Sequence, residues 1–206
     1  MKNLYLLLIC IAGLVLASCS NKAAFSAAEK ALINESAAEI PFRVLKITNF
    51  QDSVLLRTPC NDINMADITG NPDFDLLVAR LKTTLALEQG VGIAAPQVGI
   101  ERNVFLFMRL DLPDTPVVVV VNPRIVNHPD ATVCFERDGC LSIPDIRGNS
   151  VRYSWVEVEY YNETGMLIRE KLEGHSRAGN FSAVIFQHEY DHLQGVLFID
   201  KLCERP

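Results

Sequence analysis
The sequence predicts an α+β fold of mostly antiparallel sheets packed around one helix near the C-terminus. Three observations carry the prediction. Between Pro72 and Gly90, Phe74, Leu77, Val78, Leu81 and Leu85 recur at helical spacing and define one apolar face. Over residues 155–160, Val156, Val158 and Tyr160 alternate with Glu157 and Glu159, the period of a half-buried strand. A second helical stretch, about residues 181–193, holds His188 and His192 one turn apart. Helices combined with strands that follow one another in sequence describe α+β architecture.

From the N-terminus, Met1-Lys2-Asn3 is a short positive segment, and residues 4–16 are apolar but too short to span a bilayer comfortably. Leu16-Ala17-Ser18-Cys19 places small residues before a cysteine and resembles the lipobox of bacterial lipoproteins. That resemblance implies that residues 1–18 are removed as a signal peptide and that Cys19 carries lipid. The chain would then be a membrane-anchored lipoprotein on the periplasmic or surface side of a bacterial envelope. A plain secretory signal or an uncleaved anchor is the alternative, and either also takes the domain out of the cytoplasm. Residues 19–41 are rich in Ala, Ser and Glu, with few large apolar residues after Phe25, and read as a tether or loose helix.

Residues 42–206 read as one domain. Pro72 at a first-turn position and Gly90 beyond the end bracket its first strong helix. Residues 104–108 and 117–121 are short apolar runs between polar or proline residues, as in buried strands. Asn162-Glu163-Thr164-Gly165 turns the chain and residues 166–172 return, which makes a hairpin. The net charge of −6 argues against nucleic acid or anionic lipid as a partner; a monomer is expected. Of six cysteines, Cys10 goes with the signal and Cys19 takes lipid, leaving Cys60, Cys134, Cys140 and Cys203. If Cys140 binds a metal, three remain, an odd number that does not suggest a disulfide scaffold, although one disulfide suits an oxidising compartment.

The chemistry concentrates in His188-Glu189-Tyr190-Asp191-His192. Histidines at i and i+4 share a helix face and can bind one divalent ion, and the glutamate between them is placed to handle the protons of a water. A metal of this type usually has three protein ligands and one open position. In one protease class the third is a histidine six residues on, within H-E-x-x-H-x-x-G-x-x-H. Gly195 fills the glycine slot, but Phe198 occupies the histidine slot. A glutamate from a downstream helix serves another class, but only a short tail with Glu204 remains here, so the third ligand comes from upstream.

Asp138-Gly139-Cys140-Leu141-Ser142-Ile143-Pro144 sets a cysteine in a loop or strand edge, where its thiolate could bind Fe(II) or Zn(II); the plainer reading is a small buried hydrophobe. Gly90-Val91-Gly92-Ile93-Ala94-Ala95-Pro96-Gln97-Val98-Gly99 is not a dinucleotide loop, because Pro96 falls where a helix should continue. It suits a strand whose backbone lies very close to something, such as a bound peptide, with Gln97 as an amide donor for an oxyanion.

These three clusters, in this order, resemble the peptide deformylase family, whose motifs read G-Φ-G-Φ-A-A-x-Q, E-G-C-L-S and Q-H-E-x-D-H, with Φ apolar. The resemblance spans about residues 44–202. It implies a peptide deformylase-like domain that removes the formyl group from N-formylmethionyl peptides and releases formate. Cys140, His188 and His192 would bind one Fe(2+) per chain, Zn(2+) or Ni(2+) also fitting, and Glu189 would be general base and acid. Gln97 and the backbone N–H of Leu141 would be oxyanion donors, Gly92 and Arg147 would contact the peptide backbone, and Val91 and Ile185 would help form the methionine pocket.

Two departures stand out. Asp138 replaces the family's glutamate and loses a methylene of reach, which puts the orientation of Arg147 or of the loop in question. The stretch from Gly174 to Gln187 looks longer than in most relatives, through residues 175–180. A metal-containing lipoprotein that only binds peptides, or that cleaves another N-acyl substrate, is the alternative to a deformylase.

Overall fold
The structure is a computed structural model that describes residues 24–204. The signal segment and Cys19 lie outside the described residues. In chain order the elements are α1 (Ala27–Ile33), α2 (Phe50–Leu56), α3 (Pro72–Leu87), β1 (Gly92–Ala94), β2 (Val104–Met108), β3 (Val117–Asn127), β4 (Thr132–Cys140), β5 (Ile143–Tyr153), β6 (Trp155–Tyr161), β7 (Leu167–Glu173) and α4 (Ser182–Leu193). Five strands form one antiparallel sheet in the order β1-β2-β3-β6-β7, and β4 and β5 pair separately as a hairpin. The predicted α+β class is therefore observed.

The elements form for local reasons. Asn71 caps α3 by accepting from the N–H groups of Asp73 and Phe74, with Pro72 opening the first turn. The helix then buries Phe74, Leu77, Leu81 and Leu85 in a core shared with Ile93, Val104, Leu106 and Val119. On the other side of the sheet, α4 packs Ala183, Ile185 and Phe186 against Phe105, Phe107 and Val158. Phe186 meets Phe105 and Phe107 edge-on, with centroids 5.0 and 5.6 Å apart, the favoured geometry for aromatic pairs. This contact fixes the helix that carries the histidines.

One expectation needs correction. Residues 24–41 are not a tether. Phe25 and Ile33 are fully buried in the main core, and Glu29 closes a capping box with Ser26 while pairing with Arg102. The buried Arg80 donates to the carbonyls of Leu32 and Ile33. Seven helical residues with so few apolar anchors leave little periodicity to read. The strand-edge reading of 138–144 is observed: β4 ends at Cys140, β5 begins at Ile143, and Leu141 and Ser142 join them. Finally, Cys134 in β4 forms a disulfide with Cys203 near the C-terminus.

Candidate metal centre and active site
The last residue of β4 and one face of α4 meet at a buried cluster. Cys140, His188 and His192 each offer a ligand atom, and these atoms lie within 4.8 Å of one another. Cys140 Sγ is 3.2 Å from His192 Nε2 and accepts from the N–H of Ser142 at 3.4 Å. His188 Nδ1 lies 3.1 Å from Asp138 Oδ1. That partner assigns the proton to Nδ1 and leaves Nε2 for the cluster. One sulfur and two imidazoles, all buried, fit a borderline transition-metal ion with an open fourth position.

The surroundings are strongly charged. Asp138 is buried and also accepts from Ser150 Oγ at 2.6 Å, Arg152 Nη2 at 2.9 Å and the N–H of Gly139 at 2.9 Å. Burial works against its ionisation, but His188, Arg152 and Ser150 outweigh that and hold the carboxyl well below the usual range. Arg152, also fully buried, donates its other arm to Asp191 Oδ2 at 2.5 Å, and Lys201 Nζ reaches Asp191 Oδ1 at 2.6 Å. For Cys140, burial would raise the thiol, yet the two histidines hold it well below its ordinary value. The pocket therefore favours the thiolate, the form that ligates.

Glu189 faces the cluster from the same helix. Burial pushes its carboxyl up to about 7, against the pull of His188 and His192, and Oε2 has no hydrogen-bond partner. A Cβ added at Gly92 would sit 2.4 Å from Glu189 Oε1. The glycine expected to make room for a peptide thus also makes room for this carboxylate. Gln97 is positioned by the N–H of Ala94, which donates to its Oε1 at 2.8 Å; its Nε2 points to Cys140 Sγ at 3.4 Å and Ser142 Oγ at 3.2 Å.

A cavity of about 290 Å³ opens onto the cluster, lined by Val91, Gly92, Gln97, Cys140, Leu141, Arg147, Ile185, His188 and Glu189. Every predicted site residue of the domain is there except His192, which closes the cluster from behind. Arg147 does not meet Asp138: it donates to the carbonyl of Ile146 and lies across Gly139. Asp138 instead orients His188, and its shorter reach suffices. Residues 175–180 do reach the cavity, through Arg177, whose guanidinium sits on Phe135 and Phe181 and donates to the carbonyls of Glu136 and Arg137. Phe135, Arg177, Phe181 and Val184 of the wall were missed, as were Arg152, Asp191 and Lys201. Asp191 stood inside the motif; the others carried no pattern.

Cys140, His188 and His192 beside Glu189 form a group that could hold a metal ion, the kind of site a metal-dependent hydrolase requires. Comparison with known proteins gives the family. The sequence model of polypeptide deformylases matches residues 44–205. Peptide deformylase 2 of Prochlorococcus marinus (strain MIT 9313) is 38% identical over 129 residues, 62% of this chain and 61% of that protein. Peptide deformylase of strain NATL1A is 35% identical over 162 residues, 78% of this chain and 74% of that protein. A Met-Ala-Ser-bound class I type b peptide deformylase from Acinetobacter baumannii is similar in structure, with a TM-score of 0.68 and 32% identity over 80% of this chain and 99% of that one. The chain belongs to the polypeptide deformylase family, metal-dependent hydrolases that remove the formyl group from peptides.

Proposed function
We propose that this chain deformylates N-formylmethionyl peptides outside the cytoplasm, with Fe(II) held by Cys140, His188 and His192. The observation that carries the reading is the convergence of those three donors beside an unpartnered carboxylate oxygen of Glu189 in one cavity. When bound, such an ion supplies Lewis acidity toward a water and a carbonyl oxygen. The protein groups supply the rest. Glu189 takes the proton of the attacking water and returns it to the departing amine, and Gln97 Nε2 and the N–H of Leu141 donate to the oxyanion. The products are formate and a free α-amine.

Peptide binding has a backbone rationale. The N–H of Ala94 points to Gln97, away from the partner strand. By the two-residue period of a strand, the N–H of Gly92 faces the same way and can pair with a peptide laid along β1. Val91 and Ile185 lie beside it on the cavity wall, with Phe181 and Val184, as a methionine side chain requires. Arg147 would hold the peptide backbone farther out.

The location rests on the lipobox-like run before Cys19 and is supported by the Cys134–Cys203 pair, since disulfides persist in oxidising compartments. Asp138, fully engaged with His188 and Arg152, favours turnover over a binding role. The test is formate release from a short formyl-methionyl peptide by anaerobically purified, Fe(II)-loaded protein. Wild type is expected to release formate, and Glu189→Ala to keep its metal while losing about 10²–10⁴-fold in rate. Equal rates would overturn the mechanism. Cys19→Ala is expected to free the protein from membranes; unchanged fractionation would defeat the anchor.

A further inference from the structure
We propose that residues 194–204 form a strap that positions the metal ligands, fastened by the Cys134–Cys203 disulfide. The inference rests on the reading that Cys140, His188 and His192 hold an ion. The strap begins where α4 stops. Gly195 has a φ of +70°, and a Cβ there would fall 2.4 Å from the carbonyl oxygen of Arg57, so only glycine lets the chain double back at this point. It then runs behind the metal cluster. Leu197 and Phe198 are buried in one apolar cluster with Cys140 and Ile143. The Phe198 ring lies nearly parallel to that of His188, with centroids 6.3 Å apart and planes 22° apart.

A polar path runs from the same segment to the same ligand. Lys201 Nζ binds Asp191, Asp191 binds Arg152, Arg152 binds Asp138, and Asp138 binds His188. Beyond Lys201, Leu202 bridges to Ser150, the N–H of Cys203 donates to the carbonyl of Asn149, and the disulfide joins Cys203 to β4. β4 ends in Cys140. The strap is thus continuous with the helix that carries two ligands and covalently tied to the strand that carries the third. A two-stranded hairpin has little stability of its own. A ligand set tolerates only small displacements before affinity falls, so a tie between the two ligand-bearing elements bears directly on how long the ion stays.

The experiment uses the full chain loaded with Co(II), whose release to a chelator and whose visible spectrum both report on the ligands without turnover. The double variant Cys134→Ser, Cys203→Ser is expected to release Co(II) about tenfold faster, the low end of what supporting contacts contribute to metal affinity, with an altered thiolate–cobalt absorption. Lys201→Met and Phe198→Leu, with the disulfide intact, are expected to shift release in the same direction. Lys82→Met, on α3 at the opposite side of the sheet from α4, is expected to match wild type. Wild-type release and spectrum in a folded double variant would overturn the proposal; should that variant fail to fold, wild-type release from both Lys201→Met and Phe198→Leu would do so. A wild-type protein that takes up no Co(II) would overturn the metal reading itself, and the strap with it.

Discussion
Replacing Asp138 with asparagine removes one charge and almost no volume, so it isolates the electrostatics beneath the metal cluster. The carboxylate receives four donors: Ser150, Arg152, His188 and the N–H of Gly139. An amide offers one oxygen and turns its NH2 toward a donor. Arg152, 1% exposed at its side chain, would keep only Asp191 as counter-charge. Breaking a buried pair costs about 3–5 kcal/mol, and the surviving Asp191 contact places this case at about 3 kcal/mol. His188 also loses the acceptor that fixes its tautomer, which corresponds to about 10–100-fold in metal affinity. Urea unfolding in the presence of chelator measures the first quantity, and competition for Co(II) the second. A loss below about 1 kcal/mol, the value of an exposed pair, together with unchanged affinity would refute the claim that this network is coupled to the site. Asp138→Glu, which retains the charge, should recover most of both.

Three further outcomes follow from the geometry. Gly92→Ala should displace the Glu189 carboxylate, since the new Cβ would meet Oε1 at 2.4 Å and Cγ and Cδ at 2.8 Å; the rate of formate release should fall about 10²-fold, and an unchanged rate would argue against Glu189 as proton carrier. Removing the Cys134–Cys203 disulfide opens a loop of sequence separation 69 and should cost about 4 kcal/mol in guanidinium unfolding on the chain-entropy account. Asp111 is held down to about 2 by the Arg109 guanidinium, against burial. Its contribution to stability is fully present above about pH 4, the unfolded value, and is lost as pH falls through 2. Asp111→Asn should therefore flatten the acid limb of the stability curve between those values, and an identical limb would count against the pair.

The parts of the site legible in the sequence are those whose residues are close in the chain. His188 and His192 sit one turn apart on α4, and the helical period alone puts them on one face, with Glu189 in the turn between them. Cys140, on its own most simply read as a small buried hydrophobe, became a ligand candidate only beside the histidine pair and through the family resemblance, whereas Gln97 stood out at the end of a run of small residues suited to a close backbone approach. Arg152 was not: a charged residue in an alternating strand reads as solvent-facing, and its burial depends on carboxylates from β4 and α4 that no local pattern announces. The Cys134–Cys203 pairing was open for the same reason, since parity of cysteines does not give partners. The two helices ahead of α3 have only seven residues each, too few for a period to emerge.

The two edges of the five-stranded sheet are treated differently. β7 alternates Arg169, Glu170, Lys171 and Glu173, with Arg169 paired to Glu159 and Glu170 to Arg109. A charged border of this kind discourages a second copy from adding its own strand. β1, at the opposite edge, has three residues and cannot template a long intermolecular ladder. The sheet thus leaves room for a short guest strand along β1 and gives a second copy of the chain little foothold at either edge.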